Sequence, residues 1–176
     1  QPLDRVLPGR TAVTGALEEP GEEDRYMFTG MTGQRLYYDA LDFDWDDMAA
    51  RLIDPGGRVV FINGNSDGDT GLFTLTESGT YTLIQRGTGD YTNDYSFRLL
   101  DLAAADAITY GATVTDQLNP QTSARLYRID GTAGQRIVIT NLSSSSINAV
   151  WSLVDANDSQ MSGVSSIQNH LGPITL

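Results

Sequence analysis

Residues 63–69 carry oxygen-bearing side chains at alternating positions, in the order Asn-Gly-Asn-Ser-Asp-Gly-Asp. The oxygens would come from Asn63, Asn65, Asp67 and Asp69. Oxygen ligands at positions 1, 3, 5 and 7, with a glycine for the sharp turn, are typical of the first half of a calcium-binding loop. The twelfth position is a threonine, where such a loop has a bidentate glutamate. Two interpretations therefore stay open, a calcium site and a polar hairpin turn, since Asn, Asp and Gly are also the standard turn residues.

A second acidic segment, Asp-Phe-Asp-Trp-Asp-Asp at 42–47, offers a different cation site. In an extended chain its carboxylates from Asp42, Asp44 and Asp46 share one face. Repulsion between them would favour a bound cation, and calcium is the one cofactor that the sequence suggests. A solvated acidic loop is the alternative. Trp45, in the same segment, is the best candidate for a ligand-binding aromatic residue that stacks on a sugar.

The residue types needed for nucleophilic catalysis are scarce. The only histidine, His170, follows a group of serines at 162, 165 and 166. A Ser-His-Asp hydrolase would have to use this histidine, but no G-x-S-x-G elbow is present, so a surface histidine is the better interpretation. Paired carboxylates also occur in glycosidases, but nothing else marks a sugar-cleaving site. We therefore predict no catalytic residues and no enzyme activity.

The composition excludes several classes of function. Acidic residues outnumber basic ones 23 to 11, which gives a formal net charge of −12. Nucleic acids and membrane surfaces are anionic, so neither is an expected partner. No apolar run approaches the roughly 18 residues that would span a bilayer, so membrane insertion is not expected either. Cysteine and lysine are absent, which excludes disulfides, thiolate chemistry and a Schiff-base lysine.

An internal repeat predicts how the chain that carries these segments is organised. Shifting the sequence by 101 residues aligns it with itself without gaps and gives about fourteen identities over about 67 positions. The most similar stretch pairs G-M-T-G-Q-R at 30–35 with G-T-A-G-Q-R at 131–136. We predict two repeats, 1–101 and 102–176, of which the second lacks the counterpart of 76–101.

Apolar residues alternate with polar ones within the repeats, which predicts strands with one buried face. The predicted inward sets are Tyr26/Phe28, Leu36/Tyr38, Phe73/Leu75, Tyr81/Leu83 and Tyr95/Phe97/Leu99 in the first repeat, and Tyr127/Ile129, Ile137/Ile139 and Ile174/Leu176 in the second. About eight short strands per repeat predict an all-β fold of two tandem jelly-roll-like β-sandwiches, the second without its last strands. The five missing inward side chains would stabilise a core by about 2 kcal/mol each. The second repeat should therefore expose a core groove and open strand edges.

Four segments resemble a known family: DRYMFTGMTGQRLYYDAL, RLIDPGGRVVF, GLFTLTESGTYTLIQRG and DYSFRLLD. They are similar to the bacterial pre-peptidase C-terminal domain, in the variety found as tandem arrays in very large secreted proteins. In the second repeat, Asp155-Ala156-Asn157 departs from the D-P-G turn of the first, and the G-T-Y-T-L element is missing. The resemblance implies a jelly-roll-like sandwich, secretion and a non-enzymatic binding or spacer role, with calcium bound by some members.

We expect an extracellular or cell-surface bacterial module with a structural or adhesive role. Two explanations of the incomplete second repeat stay open: a piece of a longer repeat protein, or a fibre subunit whose gap a neighbouring chain fills by strand addition. The expected partners are accordingly other copies of the chain or neighbouring repeats of the same protein. The alternative function is an accessory module of a secreted hydrolase that binds a polysaccharide or a protein.

Overall fold

The structure of the chain is a computed structural model, which describes residues 9–41, 48–63, 68–145 and 148–176. The chain divides into two compact units, Gln1–Arg128 and Ile129–Leu176. Apart from one 3₁₀ turn at Leu102–Ala104, the regular structure of the described residues is β-strand. The predicted all-β class is therefore confirmed. Within the described ranges, no helix has the length and apolar character needed to cross a membrane.

Eight strands account for most of the first unit. In chain order they are β1 (Gly9–Ala16), β2 (Glu23–Gly30), β3 (Arg35–Ala40), β4 (Met48–Ile53), β5 (Val59–Asn63), β6 (Gly71–Thr74), β7 (Gly79–Gly87) and β8 (Asp94–Asp101). The strands that follow are shorter: β9 (Asp106–Ile108), β10 (Tyr127–Ile129), β11 (Arg136–Ile139), β12 (Val150–Trp151), β13 (Ser165–Ser166) and β14 (Leu171–Thr175).

Strands β1 to β8 form two antiparallel four-stranded sheets, in the orders β1-β8-β3-β6 and β2-β7-β4-β5. The first strand pairs with the eighth, the second with the seventh, the third with the sixth and the fourth with the fifth. These are the pairs of one long hairpin folded over on itself, which is the jelly-roll arrangement. The predicted jelly-roll-like sandwich is therefore confirmed for the first unit.

The core lies between these two sheets and contains the side chains that alternation predicted to point inward. All of the predicted inward residues of the first repeat are buried except Phe73, which is partly buried and packs against the core. Their rings are in contact: the centroid of Phe97 lies 5.3 Å from that of Tyr26 and 5.6 Å from that of Tyr38. Because side chains of a strand alternate between its two faces, every second residue reaches the same layer.

Buried tyrosines of this core keep hydrogen-bond partners for their hydroxyls. Tyr38 accepts a hydrogen bond from Nε2 of Gln85 at 2.9 Å. Tyr81 donates to the carbonyl of Glu77 at 2.8 Å. The rings are thus buried without leaving an unsatisfied polar atom, which would cost about 1–3 kcal/mol.

The second unit is built from two-stranded antiparallel sheets, β11 with β14 and β12 with β13. Among its described residues, the buried hydrophobic side chains are Ile137 and Leu171. Large apolar side chains are exposed at Val138, Leu142, Val150 and Val164. The second unit therefore encloses little core.

One turn has the same hydrogen bond in both units at a shift of 101 residues. Gly33 N donates to the carbonyl of Leu75 at 2.8 Å, and Gly134 N donates to that of Leu176 at 2.7 Å. Both glycines have a φ of +82°, a left-handed conformation that side chains with a Cβ disfavour. The G-Q-R motif in the sequence thus marks one local structure that occurs twice.

A second turn is also shared, although its sequence differs. Asp54 N donates to the carbonyl of Arg58 and Asp155 N donates to that of Ser159, both at 2.9 Å. The aspartate side chain accepts a hydrogen bond from the N–H of that same residue at 2.8 Å in the first turn and 2.9 Å in the second. Loss of the Pro-Gly pair in the second turn therefore leaves its hydrogen bonds intact, because the aspartate is retained.

Tyr127 is 36% exposed, so the prediction that it points inward is wrong. Its counterpart in the first repeat, Tyr26, is 1% exposed and pairs with Leu83 of β7. Tyr127 lies on β10, whose partner among the described strands is β9, and its hydroxyl donates to the carboxylate of Asp116. The other predicted inward residues of the second repeat are buried or half-buried.

The compact units and the predicted repeats do not share a boundary. The first unit extends to Arg128, because residues that follow β8 pack onto its sheets. The repeat boundary between 101 and 102 describes the register of the sequence and stays a prediction.

Candidate functional site

Most of the predicted ligand-binding residues lie outside the described ranges, namely Asn65, Asp67, Asp42, Asp44, Asp46 and Trp45. The first loop is described at its two ends, Asn63 and Asp69. Nδ2 of Asn63 donates to the carbonyl of Gly68. Over the ranges that the structure describes, no three acidic or histidine side chains are grouped as metal ligands. Calcium binding by either acidic segment stays a prediction.

Asp69 is attached to strand β3 by both oxygens of its carboxylate. Oδ1 accepts a hydrogen bond from the N–H of Ala40 at 2.9 Å, and Oδ2 accepts one from the hydroxyl of Tyr37 at 2.6 Å. Desolvation by the surrounding protein raises the pKa of Asp69 to about 6, although the two hydrogen bonds favour the charged form. Asp69 therefore joins the segment that precedes β6 to β3.

An ion pair is buried on the outer face of the sheet that contains β3 and β8. Asp39 and Arg98 are cross-strand neighbours, with exposures of 0% and 7%. Their neighbours along β3 and β8, such as Tyr38 and Phe97, point into the core. Because side chains alternate along a strand, Asp39 and Arg98 point to the outer face. Oδ2 of Asp39 accepts hydrogen bonds from Nε of Arg98 at 2.8 Å and from Nη2. Oδ1 is left for another donor.

Residues 122–124 cover this ion pair. Ala124 N donates to Oδ1 of Asp39 at 2.9 Å, and Nη2 of Arg98 donates to the carbonyl of Ala124 at 3.2 Å. The hydroxyl of Thr122 donates to the backbone carbonyl just after β3 at 2.9 Å. We call Asp39, Arg98 and 122–124 the clasp.

The clasp attaches a segment to the sheet across a long stretch of chain. Ala124 is 26 residues from Arg98 in sequence. Burial raises the pKa of Asp39, while the hydrogen bonds from Arg98 and Ala124 act in the opposite direction. Two charges removed from water are stable only when hydrogen bonds replace their hydration, and the clasp supplies these. Its chemistry is therefore that of a structural anchor.

A cavity of about 610 Å³ opens between the edge strands β5 and β6 of the first unit. Its lining combines apolar and charged side chains: Asp54, Arg58, Val59, Val60, Phe73, Thr74, Thr76 and Glu77. Arg58 pairs with Asp54 at 2.9 Å and also with Glu77. Three of its eight lining residues are apolar and the others are polar or charged, so this largely polar cleft is a second candidate for a ligand site.

His170 and the tryptophan of the second repeat, Trp151, have different surroundings. His170 is exposed. Trp151, on β12, is half-buried, and its Nε1 is buried without a hydrogen-bond partner among the described residues.

The clasp is the part of the structure that the sequence did not predict. A weak signal was present, since Asp39 and Arg98 are opposite charges that each interrupt an apolar strand, in LYYDAL and SFRLL. Nothing in either strand alone indicates that the outer face is covered. The residues that cover it come from a segment without strand periodicity.

Comparisons with known proteins give similarity at the level of the fold. No protein-family model matches the sequence, and no curated protein is a significant match. Among solved structures, the chain is similar to the pre-peptidase C-terminal domain of a collagenase from Bacillus anthracis, with 13% identity over 57% of this chain and 97% of that one and a TM-score of 0.46. It is also similar to PliG, a periplasmic inhibitor of g-type lysozyme. The Salmonella Typhimurium protein gives 19% identity over 55% of this chain and 98% of that one, with a TM-score of 0.41. The Aeromonas hydrophila protein gives 12% identity over 54% and 96%, with a TM-score of 0.40. Similarity at this level assigns no function to the chain.

Proposed function

We propose that the chain is a non-catalytic structural or adhesive module of a bacterial protein that acts outside the cell or at its surface. In this proposal the chain associates with other copies of itself or with neighbouring repeats of the same protein. Strand addition at the second unit is the means of association.

The observation that carries this proposal is the pairing of the second unit. Among its described residues, β11 and β12 each pair with one strand, and apolar side chains such as Val138 and Val150 are 55% and 61% exposed. Unpaired strand edges and exposed apolar side chains favour association with another chain. In the first unit the central strands β3 and β4 are paired on both edges and their core-facing side chains are buried. The second unit is therefore the part of the chain that we expect to bind a partner.

The resemblance to the pre-peptidase C-terminal domain supports the extracellular location and the non-enzymatic role. The motifs that carry it, such as F-T-G at the end of β2 and G-T-Y-T-L in β7, form strands and turns of the sandwich. They supply packing and turn geometry, and none provides a nucleophile or a general base. A module of this kind serves as a spacer or an attachment point.

The test is the assembly state of the purified chain. We expect sedimentation velocity over a hundredfold range of concentration to show reversible association, and negative-stain electron microscopy to show regular particles or filaments. The control is the variant Val138→Lys, which places a charge on β11 and should weaken association. A chain that stays monomeric at every concentration would refute the proposal.

A second function, a substrate-binding accessory module of a secreted hydrolase, is favoured by the cavity between β5 and β6. Its three apolar side chains, its two threonines and the Arg58 ion pairs suit a polysaccharide or a protein segment. Trp45 is the second binding residue in this proposal. Binding of soluble polysaccharides or protein, lost in Trp45→Ala or Arg58→Ala, would favour it. Binding that both variants retain would exclude these residues as the site.

Calcium binding is part of either proposal. The first segment would hold the ion through Asn63, Asn65, Asp67 and Asp69, and the second through Asp42, Asp44 and Asp46. Isothermal titration of the chelator-treated chain with calcium tests this directly. We expect Asp67→Asn to abolish binding if the first segment is used and Asp44→Asn if the second is used. No heat of binding in the unmodified chain would refute a calcium site.

A further inference from the structure

The two sheets of the first unit differ on their outer faces. The clasp covers a buried ion pair on the outer face of the sheet β1-β8-β3-β6. On the sheet β2-β7-β4-β5, Met27 is 39% exposed and Ile62 is 61% exposed. Both point outward, because the neighbouring residues Tyr26, Phe28 and Phe61 lie in the core. The outer face of this second sheet therefore presents apolar side chains to solvent.

Three arginines share this outer face. Arg25 on β2 and Arg51 on β4 are the cross-strand neighbours of Ile84 on β7, and Arg86 lies two residues farther along β7. Ile84 points outward and is nevertheless 0% exposed. Long arginine side chains on both sides of an aliphatic residue can cover it and keep their charged ends in water. The face thus carries three positive charges in a chain whose formal net charge is −12.

Two of these arginines have no carboxylate partner among the described residues. Arg25 pairs with Glu23 at 2.7 Å, and Arg58 in the cleft pairs with two carboxylates. Arg51 and Arg86 form no ion pair over the described ranges, and Nε of Arg51 is buried without a hydrogen-bond partner. Unpaired guanidinium groups on neighbouring strands indicate a surface that suits an anionic partner. We call Met27, Arg51, Ile62 and Arg86 the arginine face.

An acidic turn adjoins the arginine face. Residues 18–22 connect β1 to β2 and contain three glutamates. The carboxylate of Glu22 accepts hydrogen bonds from the N–H of Glu18 at 2.6 Å and of Glu19 at 3.1 Å, which fixes the shape of the turn. Glu18 and Glu19 are exposed, and neither has a basic partner among the described residues. The turn leads directly into β2, whose first residue is the cross-strand neighbour of Arg86.

We propose that the arginine face binds the acidic turn of a second copy of the chain, in a dimer with two-fold symmetry. A surface with opposite charges side by side is complementary to itself after a rotation of 180°, so each copy contributes one turn and one face. Arg51 and Arg86 gain the carboxylates of Glu18 and Glu19 as partners. The inference goes beyond the proposed function, because it adds a contact on the first unit to the strand addition expected at the second.

A second copy fits this surface better than an anionic polysaccharide does. The outward residues named on the arginine face include no aromatic ring on which a sugar could stack. Met27 and Ile62 would stay partly in water beneath a polysaccharide, whereas a second copy covers them with protein. The acidic turn is already held in shape by Glu22, so little ordering is needed when it binds.

The test exchanges the charges of the two surfaces and measures association by sedimentation velocity. The face variant carries Arg51→Glu and Arg86→Glu, and the turn variant carries Glu18→Arg and Glu19→Arg. Each variant alone should lose the dimer, because like charges meet in both of its contacts. An equimolar mixture of the two should restore it, because both contacts of the mixed pair join opposite charges. In the unmodified chain, raising the salt from about 50 mM to about 500 mM should weaken the dimer about tenfold or more.

A matched control separates this contact from attraction by net charge. Arg125→Glu with Arg128→Glu changes the net charge as much as the face variant does, at exposed residues away from the arginine face. Its mixture with the turn variant should not form the dimer. Arg86→Glu alone changes one exposed side chain and should weaken the dimer about threefold or more, even if the double face variant fails to fold. Circular dichroism verifies the fold of each variant.

Several outcomes would overturn the proposal. The mixture of face and turn variants could stay monomeric, or the control mixture could associate equally well. A chain that stays monomeric but binds polyglutamate through Arg51 and Arg86 would have a different anionic partner. Association that Val138→Lys abolishes and the face variant retains would keep strand addition and overturn the dimer. The reverse pattern would keep the dimer and refute strand addition.

Discussion

The clasp allows a quantitative prediction of stability, because it buries two opposite charges that have few other hydrogen-bond partners. Arg98→Met removes the guanidinium while keeping much of the aliphatic side chain. Asp39 then keeps one hydrogen-bond donor, the N–H of Ala124, at an exposure of 0%. Removing one partner of a buried ion pair costs about 3–5 kcal/mol, since the remaining charge is left uncompensated. We expect a loss of about 3 kcal/mol, because Arg98 is not fully buried and water can reach part of the gap.

The assay is urea unfolding followed by far-ultraviolet circular dichroism, with the slope of the transition compared between variants. Arg86→Met is the matched control, because Arg86 is an exposed arginine on the neighbouring sheet and should cost less than about 0.5 kcal/mol. The double variant Asp39→Leu with Arg98→Met should be within about 1 kcal/mol of the unmodified chain, since it removes both charges. Limited proteolysis should cut near 122–124 faster in Arg98→Met alone.

The reasoning would be refuted if Arg98→Met cost less than about 1 kcal/mol or no more than Arg86→Met. It would also be refuted if the double variant lost as much stability as the single one. In the first case the pair would behave as an exposed ion pair, and in the second the loss would reflect packing instead of charge.

Three further changes test other parts of the fold. Leu36→Ala should cost about 3 kcal/mol, whereas Ile137→Ala at the same repeat position should cost clearly less, because Ile137 and Leu171 are the buried hydrophobic side chains that the second unit shows among its described residues; equal losses in denaturant unfolding would contradict this. Gly57→Ala should lower the free energy of unfolding by about 1 kcal/mol, because Gly57 has a left-handed φ of +82°, although an added Cβ would contact nothing within 4 Å. Gly57→Asn should cost less, because asparagine tolerates this conformation better, and thermal unfolding of the two variants checks the order. Hydrogen bonds from the backbone and side chain of Arg58 lower the pKa of Asp54, so its contribution is present at pH 7 and lost as the pH falls below about 4. The stability difference between the unmodified chain and Asp54→Asn should therefore shrink in urea titrations from pH 7 to pH 3, and a difference independent of pH would contradict the assignment.

The sequence alone determined which side of each strand is buried. Alternation places residues such as Tyr26, Tyr81 and Leu83 on one face, and the period of a strand is two regardless of which strand lies beside it. Turn residues were equally local: the glycine of G-Q-R is needed wherever the backbone must be left-handed. These features depend on a few residues that are close in sequence, so they can be predicted without knowing which strands pair.

Only the tertiary structure decided which strands meet and what covers their outer faces. β1 pairs with β8 from the far end of the first repeat, and Asp39 meets Arg98 across 59 residues. Charged residues on the outer face of a strand follow the same alternating pattern whether they are buried or exposed. The segment that covers Asp39 and Arg98 could therefore not be predicted from the sequence. Tyr127 shows the same limit in reverse, because its pattern is that of an inward residue but its strand β10 pairs with β9 and leaves it 36% exposed. Burial is a property of the partner as well as of the residue, and the partner is set by the whole fold.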